Sequence, residues 1–254
     1  MGACPTGRPA REEQIVSRLY SVVSARFRKA PAPIRRTGMV FWRLGTHRML
    51  IKTVHSSFAK GEVCKLHIGA GYCALPGWFN TDSMPSPVPL YFLDVRKRFP
   101  FQDGELHYIY CEHVIEHLRF EDGMRMLGES FRTLGCGGKI RVATPDLSRI
   151  LSVYCERGEH EAYKNWAIEF SGLPTFARAE CFVVNNFMRS WGHKFIYDEP
   201  TLSDSLLRAG FVNVRRFQIG ESSDPNFVGI EQHAQRIGEF ANAFETMILQ
   251  ADKP

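Results

Sequence analysis

No apolar run in this 254-residue chain approaches the roughly 18 residues that a membrane-spanning helix needs, so no such helix is expected. The seven cysteines are odd in number and contain no CxxC pair, which argues against a disulfide framework and against structural zinc. No metal site is expected, and a reducing compartment, the cytoplasm, is the simplest setting. Internal repeats and low-complexity tracts are absent. A secretory leader is not expected, because Arg18 and Arg26 interrupt any apolar h-region, and a cleaved organelle leader is a weaker option, because Glu12 and Glu13 spoil its acid-poor pattern. The dinucleotide fingerprint also lacks its third glycine, since Ala74 stands where it would fall, and this counts against NAD.

Acidic residues are scarce in one region only. Residues 1–60 hold twelve Lys or Arg against Glu12 and Glu13, a net of +10, which leaves −5 on the remaining 194 residues of a chain whose total is +5. A basic arm on a mildly acidic body suits a polyanion or an anionic membrane surface as partner. Val16, Tyr20, Val23 and Phe27 recur at helical spacing within the arm, and Pro31 and Pro33 are read as ending that helix. Three uses compete: a helix packed on its own body with its basic face solvated, peripheral contact with an anionic membrane, and steering of an anionic substrate.

What the body contains is a sizeable core. Hydrophobic residues make up 44% of the chain and aromatics 12%, enough for one domain with extensions. Strand-like segments at 64–68, 78–81, 90–93, 106–111, 139–143 and 211–219 alternate with helical periodicity. Met124, Leu127, Phe131 and Leu134 mark one helix, with Gly135 placed to end it. Leu147, Ile150, Leu151 and Tyr154 mark a second, and Leu202, Leu206 and Leu207 a third closed by Gly210. Ile237, Phe240, Phe244 and Met247 predict a final helix. This alternation predicts an α/β fold, a doubly wound, mostly parallel Rossmann-like sheet with helices on both faces. In such a sheet, ligands sit outside the carboxyl ends of the strands where the strand order reverses. Gly69 to Gly71, Asp82, Asp94, Cys111 to His113 and Thr144 to Asp146 would then surround one crevice.

Each position has its own chemistry. Gly69 and Gly71 tolerate positive φ and let a ligand approach the main chain, although an ordinary turn would look the same. Asp82 can accept two hydrogen bonds from vicinal ribose hydroxyls, and Asp94 one from an exocyclic amine, although either could instead cap a loop. Asp146 reads as the N-cap of the helix beginning at Leu147.

Taken together, LHIGAG, PGWFNTD, FLDVRKRFPFQDGELHYIYCEHVIEHL, GESFRTLGCGGKIRVATPDL and WGHKFIYDEPTLSDSLLRAGF resemble the class I S-adenosylmethionine-dependent methyltransferases, in particular their compact type-11-like group. The resemblance spans roughly residues 62 to 232. It implies S-adenosylmethionine as cofactor, held by Gly69, Ala70 and Gly71 under its methionine part, Asp82 at its ribose and Asp94 at its adenine, with Cys111 and Glu112 beside them. Ala70 stands where family members often carry Cys, and Gly135-Cys136-Gly137-Gly138 where they carry Lys-Pro-Gly-Gly; both keep a small, turn-forming character. The implied organisation is a partly helical basic extension over 1–60, a cofactor-binding domain over 61–232 with an aromatic-rich insertion near 156–195, and a C-terminal helix over 233–254.

Methyl transfer asks mainly for alignment and exclusion of water, with a general base where the acceptor is a hydroxyl. His113, His117 and His193 are the candidates for that base, ahead of His67 inside the first strand. Tyr163, Trp166, Phe170, Phe176, Phe182, Phe187 and Trp191 can wall an acceptor pocket or simply pack an extra helix pair. The acceptor classes that fit are a small molecule, a glycan or a lipid-linked saccharide, methylated on oxygen or nitrogen. A nucleic-acid acceptor fits less well, since the arm lacks RNA-reading motifs and the body is acidic. A non-catalytic binding or scaffold protein that keeps the fold is the alternative class.

Overall fold

The computed structural model describes residues 31–86, 88–156, 158–175 and 179–254. The stripe from Val16 to Phe27, the first half of the basic arm, and Phe176 lie outside the described residues. The helix that Pro31 and Pro33 were expected to end lies outside the described residues; Pro31 directly precedes helix α1, the 28 residues Ala32–Ala59, with Pro33 in its first turn. A proline there loses no hydrogen bond, because the first helical N–H groups have no intrahelical partner. Leu50 and Val54 anchor α1 in the core, and His55 pairs with the buried Glu105.

Five strands follow in order: β1 (Lys65–Ile68), β2 (Phe79–Asp82), β3 (Tyr91–Phe92), β4 (Leu106–Glu112) and, after helix α2 (Phe120–Thr133), β5 (Leu134–Pro145). Leu134 opens β5, so Gly135 does not close α2 but lies inside the strand. A Cβ on Gly138 would lie 2.8 Å from the Gly135 carbonyl oxygen, so this glycine run lets the strand turn tightly against its neighbours. Helices α3 (Leu147–Cys155), α4 (Glu161–Ser171), α5 (Glu180–Arg189) and α6 (Glu199–Arg208) lead to β6 (Val212–Phe217). The chain then passes through two short helices, α7 (Ala234–Ile237) and α8 (Glu239–Glu245), into β7 (Thr246–Asp252).

That last element corrects the expected C-terminal helix over 233–254. Phe240 and Phe244 do lie in α8, but Met247 begins a strand whose residues Met247 to Ala251 are all buried. A strand covered on both faces shows no alternation, so its apolar run can pass for the end of a helix.

The sheet runs β3-β2-β1-β4-β5-β7-β6. Every pairing among β1 to β5 is parallel, and β7 enters antiparallel to both β5 and β6. Strand alternation sorts the side chains. Ile109 and Cys111 of β4 join Leu66, Ile68, Met126, Leu127, Leu202 and Leu206 in the main core on the α2 and α6 face. Each fully buried Leu or Ile there contributes roughly 1.5–3 kcal/mol over exposure. Tyr110 points to the other face, against Trp78 and Phe227. A separate cluster of Ile150, Tyr163, Val183 and Phe187 knits α3, α4 and α5 together beyond the end of β5.

Candidate active site

Strand order reverses between β1 and β4, and their carboxyl ends open a crevice of about 440 Å³ lined by Gly69, Asp82, Asp94, His113 and His117. Gly69 makes the turn after β1 at φ +72°, where a side chain would run into Val114. Only glycine satisfies both the angle and the space. Gly71, at φ +54°, donates its N–H to Asp82 Oδ2 at 3.0 Å, and Met84 N donates to Oδ1 at 3.0 Å. The Asp82 carboxylate is thereby fixed at the rim with acceptor capacity left over, since two carboxylate oxygens offer about four lone-pair sites. Ala70 is buried, donates its N–H to Thr81 O and lines an adjoining cavity of about 390 Å³ together with Glu112 and Arg236.

Asp94 is not free. Arg96 donates from Nε to Oδ1 at 2.8 Å and from a terminal nitrogen to Oδ2 at 2.9 Å, and this pairing holds the Asp94 carboxyl below its usual range. Arg96 is 55% exposed, so a ligand can displace the pair cheaply.

Cys111 does not reach the crevice. It is fully buried in the core, and burial, with Glu116 nearby, pushes its thiol above the usual range. The strand's alternation sends it to the helix-covered face, opposite to where a cofactor contact would lie. Glu112 accepts from the N–H groups of Gln232 and His233, each at 3.0 Å, and fastens the segment before α7 over the site. Burial raises its pKa against those two hydrogen bonds.

The histidines converge on a residue that went unnoticed in the sequence. Glu116, in the 3-10 turn Ile115–His117, is fully buried; Oε2 accepts from Thr144 at 3.1 Å. His113 Nδ1 lies 3.2 Å from Oε1 as a close ion pair, yet no donor is aligned on that oxygen as a hydrogen bond. Burial alone would lower His113, but the Glu116 charge outweighs it and leaves the pKa raised; Glu116 is lowered in return. His113 Nε2 faces Thr246 at 3.2 Å and its ring stacks on His233 at 3.5 Å. Both His113 nitrogens are thus engaged, which makes it a positioning group more than a base.

His117 and His193 are the open members. Lys194 N and Phe195 N donate to Glu116 O and draw the 190–195 loop over the turn, placing the two rings 5.1 Å apart. His193 Nδ1 donates to Phe187 O at 2.8 Å, which leaves Nε2 with the free lone pair, and burial lowers its pKa. His117 is 37% exposed. The two line a cavity of about 140 Å³ walled by Trp166, Phe170, Phe187 and Trp191, the aromatics expected for an acceptor. Backbone strain gathers here, as His113 at φ 49° and Trp191 at φ 56° hold left-handed conformations. His67 is buried against Asn80 at 2.9 Å, its pKa lowered to about 4 mainly by burial, and serves the fold. Asp146 caps α3 by accepting from Ser148 N at 3.0 Å. Arg236 lines all three cavities and was not foreseen, because α7 is too short to show a period.

A mostly parallel sheet with helices, and this crevice at its switch point, matches the arrangement that the motifs implied, and the reversed seventh strand adds to it. This is the class I methyltransferase fold. No protein-family model matches the chain, and no curated protein matches it. Among solved structures it is similar to an S-adenosylmethionine-dependent methyltransferase from Archaeoglobus fulgidus, at 15% identity over 82% of this chain and 94% of that one, with a TM-score of 0.48. One from Mesorhizobium loti shares 14% identity over 75% and 91%, at a TM-score of 0.46. Phosphoethanolamine N-methyltransferase 2 of Haemonchus contortus shares 11% over 76% and 49%, at 0.42. The methyltransferase fold of this chain stands on its own strand order, and no activity follows from likenesses this distant. Among the described residues no helix is long and apolar enough to cross a membrane.

Proposed function

We propose that this protein is an S-adenosylmethionine-dependent methyltransferase acting on a small-molecule or glycan acceptor. The observation that carries the proposal is the meeting, at one switch point, of the glycine turn at Gly69, the rim carboxylate of Asp82 and a histidine cluster that opens into an aromatic cavity. The residues fit the cofactor: Gly69 leaves main chain exposed where a side chain would collide with Val114, and Asp82 keeps free lone pairs for vicinal hydroxyls. S-adenosylmethionine would supply a methyl group already activated on a sulfonium.

The chain's own residues do the rest. Gly69 to Gly71 admit the ligand to the backbone, Asp82 orients a ribose, and the Arg236 guanidinium, facing all three cavities, offers a bidentate partner for a carboxylate. Trp166, Phe170 and Trp191 exclude water and stack a flat or sugar-like acceptor beside His117 and His193. The acceptor's proton would be lost beside these two residues. The basic arm would keep the enzyme near an anionic membrane surface, a reading supported by exposed Val40, Phe41 and Leu44 on α1.

Calorimetry with S-adenosylmethionine and S-adenosylhomocysteine tests the proposal. Both should bind once per chain, and Asp82→Ala should weaken binding by on the order of 2 kcal/mol, about 30-fold, through loss of charge-assisted hydrogen bonds. Absence of binding, or an unchanged affinity in Asp82→Ala, would remove the cofactor from this crevice.

A further inference from the structure

We propose that Glu116, His117 and His193 form a binding site for one divalent first-row transition-metal ion of the zinc type, at the junction of the cofactor crevice and the aromatic cavity. No metal was expected from the cysteine pattern, and none of these three ligands is a cysteine. One ligand atom from each residue lies within 4.8 Å of the others.

Three features set this group apart from a chance meeting of polar side chains. Glu116 Oε1 is fully buried and accepts no aligned hydrogen bond; His113 Nδ1 stands 3.2 Å away as an ion pair, which leaves a lone pair of that oxygen open toward the cavity for a cation. His193 already has the outer partner that metal-bound histidines take, since its Nδ1–H donates to Phe187 O and leaves Nε2 as the ligand nitrogen. The Glu116 carboxylate is itself steadied by Thr144 on Oε2 and by the ion pair to His113 on Oε1. Ligands at roughly 2.0–2.2 Å from one ion stand about 3–3.5 Å apart, so the group must draw in by an ångström or so. His117 Nε2, now 3.9 Å from Oε1 on a ring that is 37% exposed, is free to make that movement.

Two imidazoles and one carboxylate select borderline cations such as zinc, cobalt or iron(II) over magnesium or calcium, and leave coordination positions open. Those positions face the cavity walled by Trp166, Phe187 and Trp191. The ion's use rests on the methyl-transfer reading: it would take an acceptor oxygen, lower the pKa of a hydroxyl there and present it to the methyl group. The O–H proton passes to solvent, the new O–CH₃ bond forms as the S–CH₃ bond breaks, and sulfur keeps the electron pair as a thioether. The acceptors so selected carry a hydroxyl beside a second oxygen donor, as in a vicinal diol or a 2-hydroxycarboxylate.

The test uses the full chain, stripped with a chelator and titrated with cobalt(II), followed by absorption, and with zinc(II) by calorimetry. One equivalent should bind per chain, and His117→Gln and His193→Gln should each weaken it ~10- to 100-fold or more. The exposed cluster Glu156, Glu159 and His160 serves as control, so His160→Gln should change nothing. Circular dichroism and the urea unfolding midpoint establish that the variants are folded. The proposal is overturned if no stoichiometric binding occurs, if neither histidine substitution weakens it, or if His160→Gln abolishes it. Metal binding without cofactor binding would refute the methyltransferase reading and leave this site standing; cofactor binding without metal would do the reverse.

Discussion

Gly69→Ala, at the turn beneath the cofactor crevice, should cost stability by two separable routes. The first is backbone: φ is +72° there, and a residue with a Cβ pays about 1–2 kcal/mol in the left-handed region. The second is steric. The new methyl would overlap Val114, whose side chain packs on the main core and has little room to retreat, so overpacking adds about 1–3 kcal/mol. The sum, roughly 2–5 kcal/mol, is a large share of the 5–15 kcal/mol by which an ordinary domain is stable. Urea unfolding followed by tryptophan fluorescence measures it, and a double-mutant cycle with Val114→Ala divides it. Val114→Ala should recover about 1–3 kcal/mol in the Gly69→Ala background relative to its effect in the parent, leaving the backbone part untouched. A coupling energy near zero would mean that Val114 does not obstruct the turn, and unchanged stability of Gly69→Ala alone would mean that the turn is not left-handed.

His67 gives a pH signature. Its folded pKa is lowered to about 4 by burial against an unfolded value near 6.5, so its contribution is full above pH 6.5 and is lost as pH falls toward 4. The loss is on the order of 3 kcal/mol at most, and His67→Gln should flatten the urea midpoint over that window; an identical pH profile in the variant would refute this. Arg141 and Glu231 are a buried ion pair, 2.5 Å from Nε to Oε1, and Glu231→Ala should destabilise by about 3–5 kcal/mol because it strands the guanidinium. The pair of substitutions Arg141→Met and Glu231→Leu should cost much less, and equal losses would point to packing instead of charge. Removal of residues 1–30 should reduce sedimentation with anionic vesicles while cofactor affinity is kept, and equal sedimentation would reject the membrane contact.

What the sequence disclosed was local. Gly69, Gly71 and Asp82 could be placed because each sits at the end of a short apolar strand, and the Asp146 cap because its pattern is complete within three residues. Glu116 was not singled out because, beside its neighbours His113 and His117, its burial and two further contacts come from Thr144 and from the loop carrying His193, both distant in sequence. Cys111 was misplaced by one step of strand alternation, since its neighbour Glu112 does face the site. Helix α1 escaped notice because its apolar residues are spread around the axis, with Phe41 and Leu44 exposed and Leu50 and Val54 buried, and Pro31 also marks its beginning.

The reversed strand β7 has a consequence for the order of assembly. It is inserted between β5 and β6 although it follows both in the chain, so until residues 246–252 have been made β6 has no sheet partner and β5 is paired only with β4. Until then β5 presents an open edge of the kind that invites pairing between nascent chains. The residues just before it, His233, Arg236 and Glu245, line the aromatic cavity, so the same docking event that seals the sheet also finishes that cavity. A chain interrupted before Thr246 would carry these cavity residues without the strand that docks them against β5.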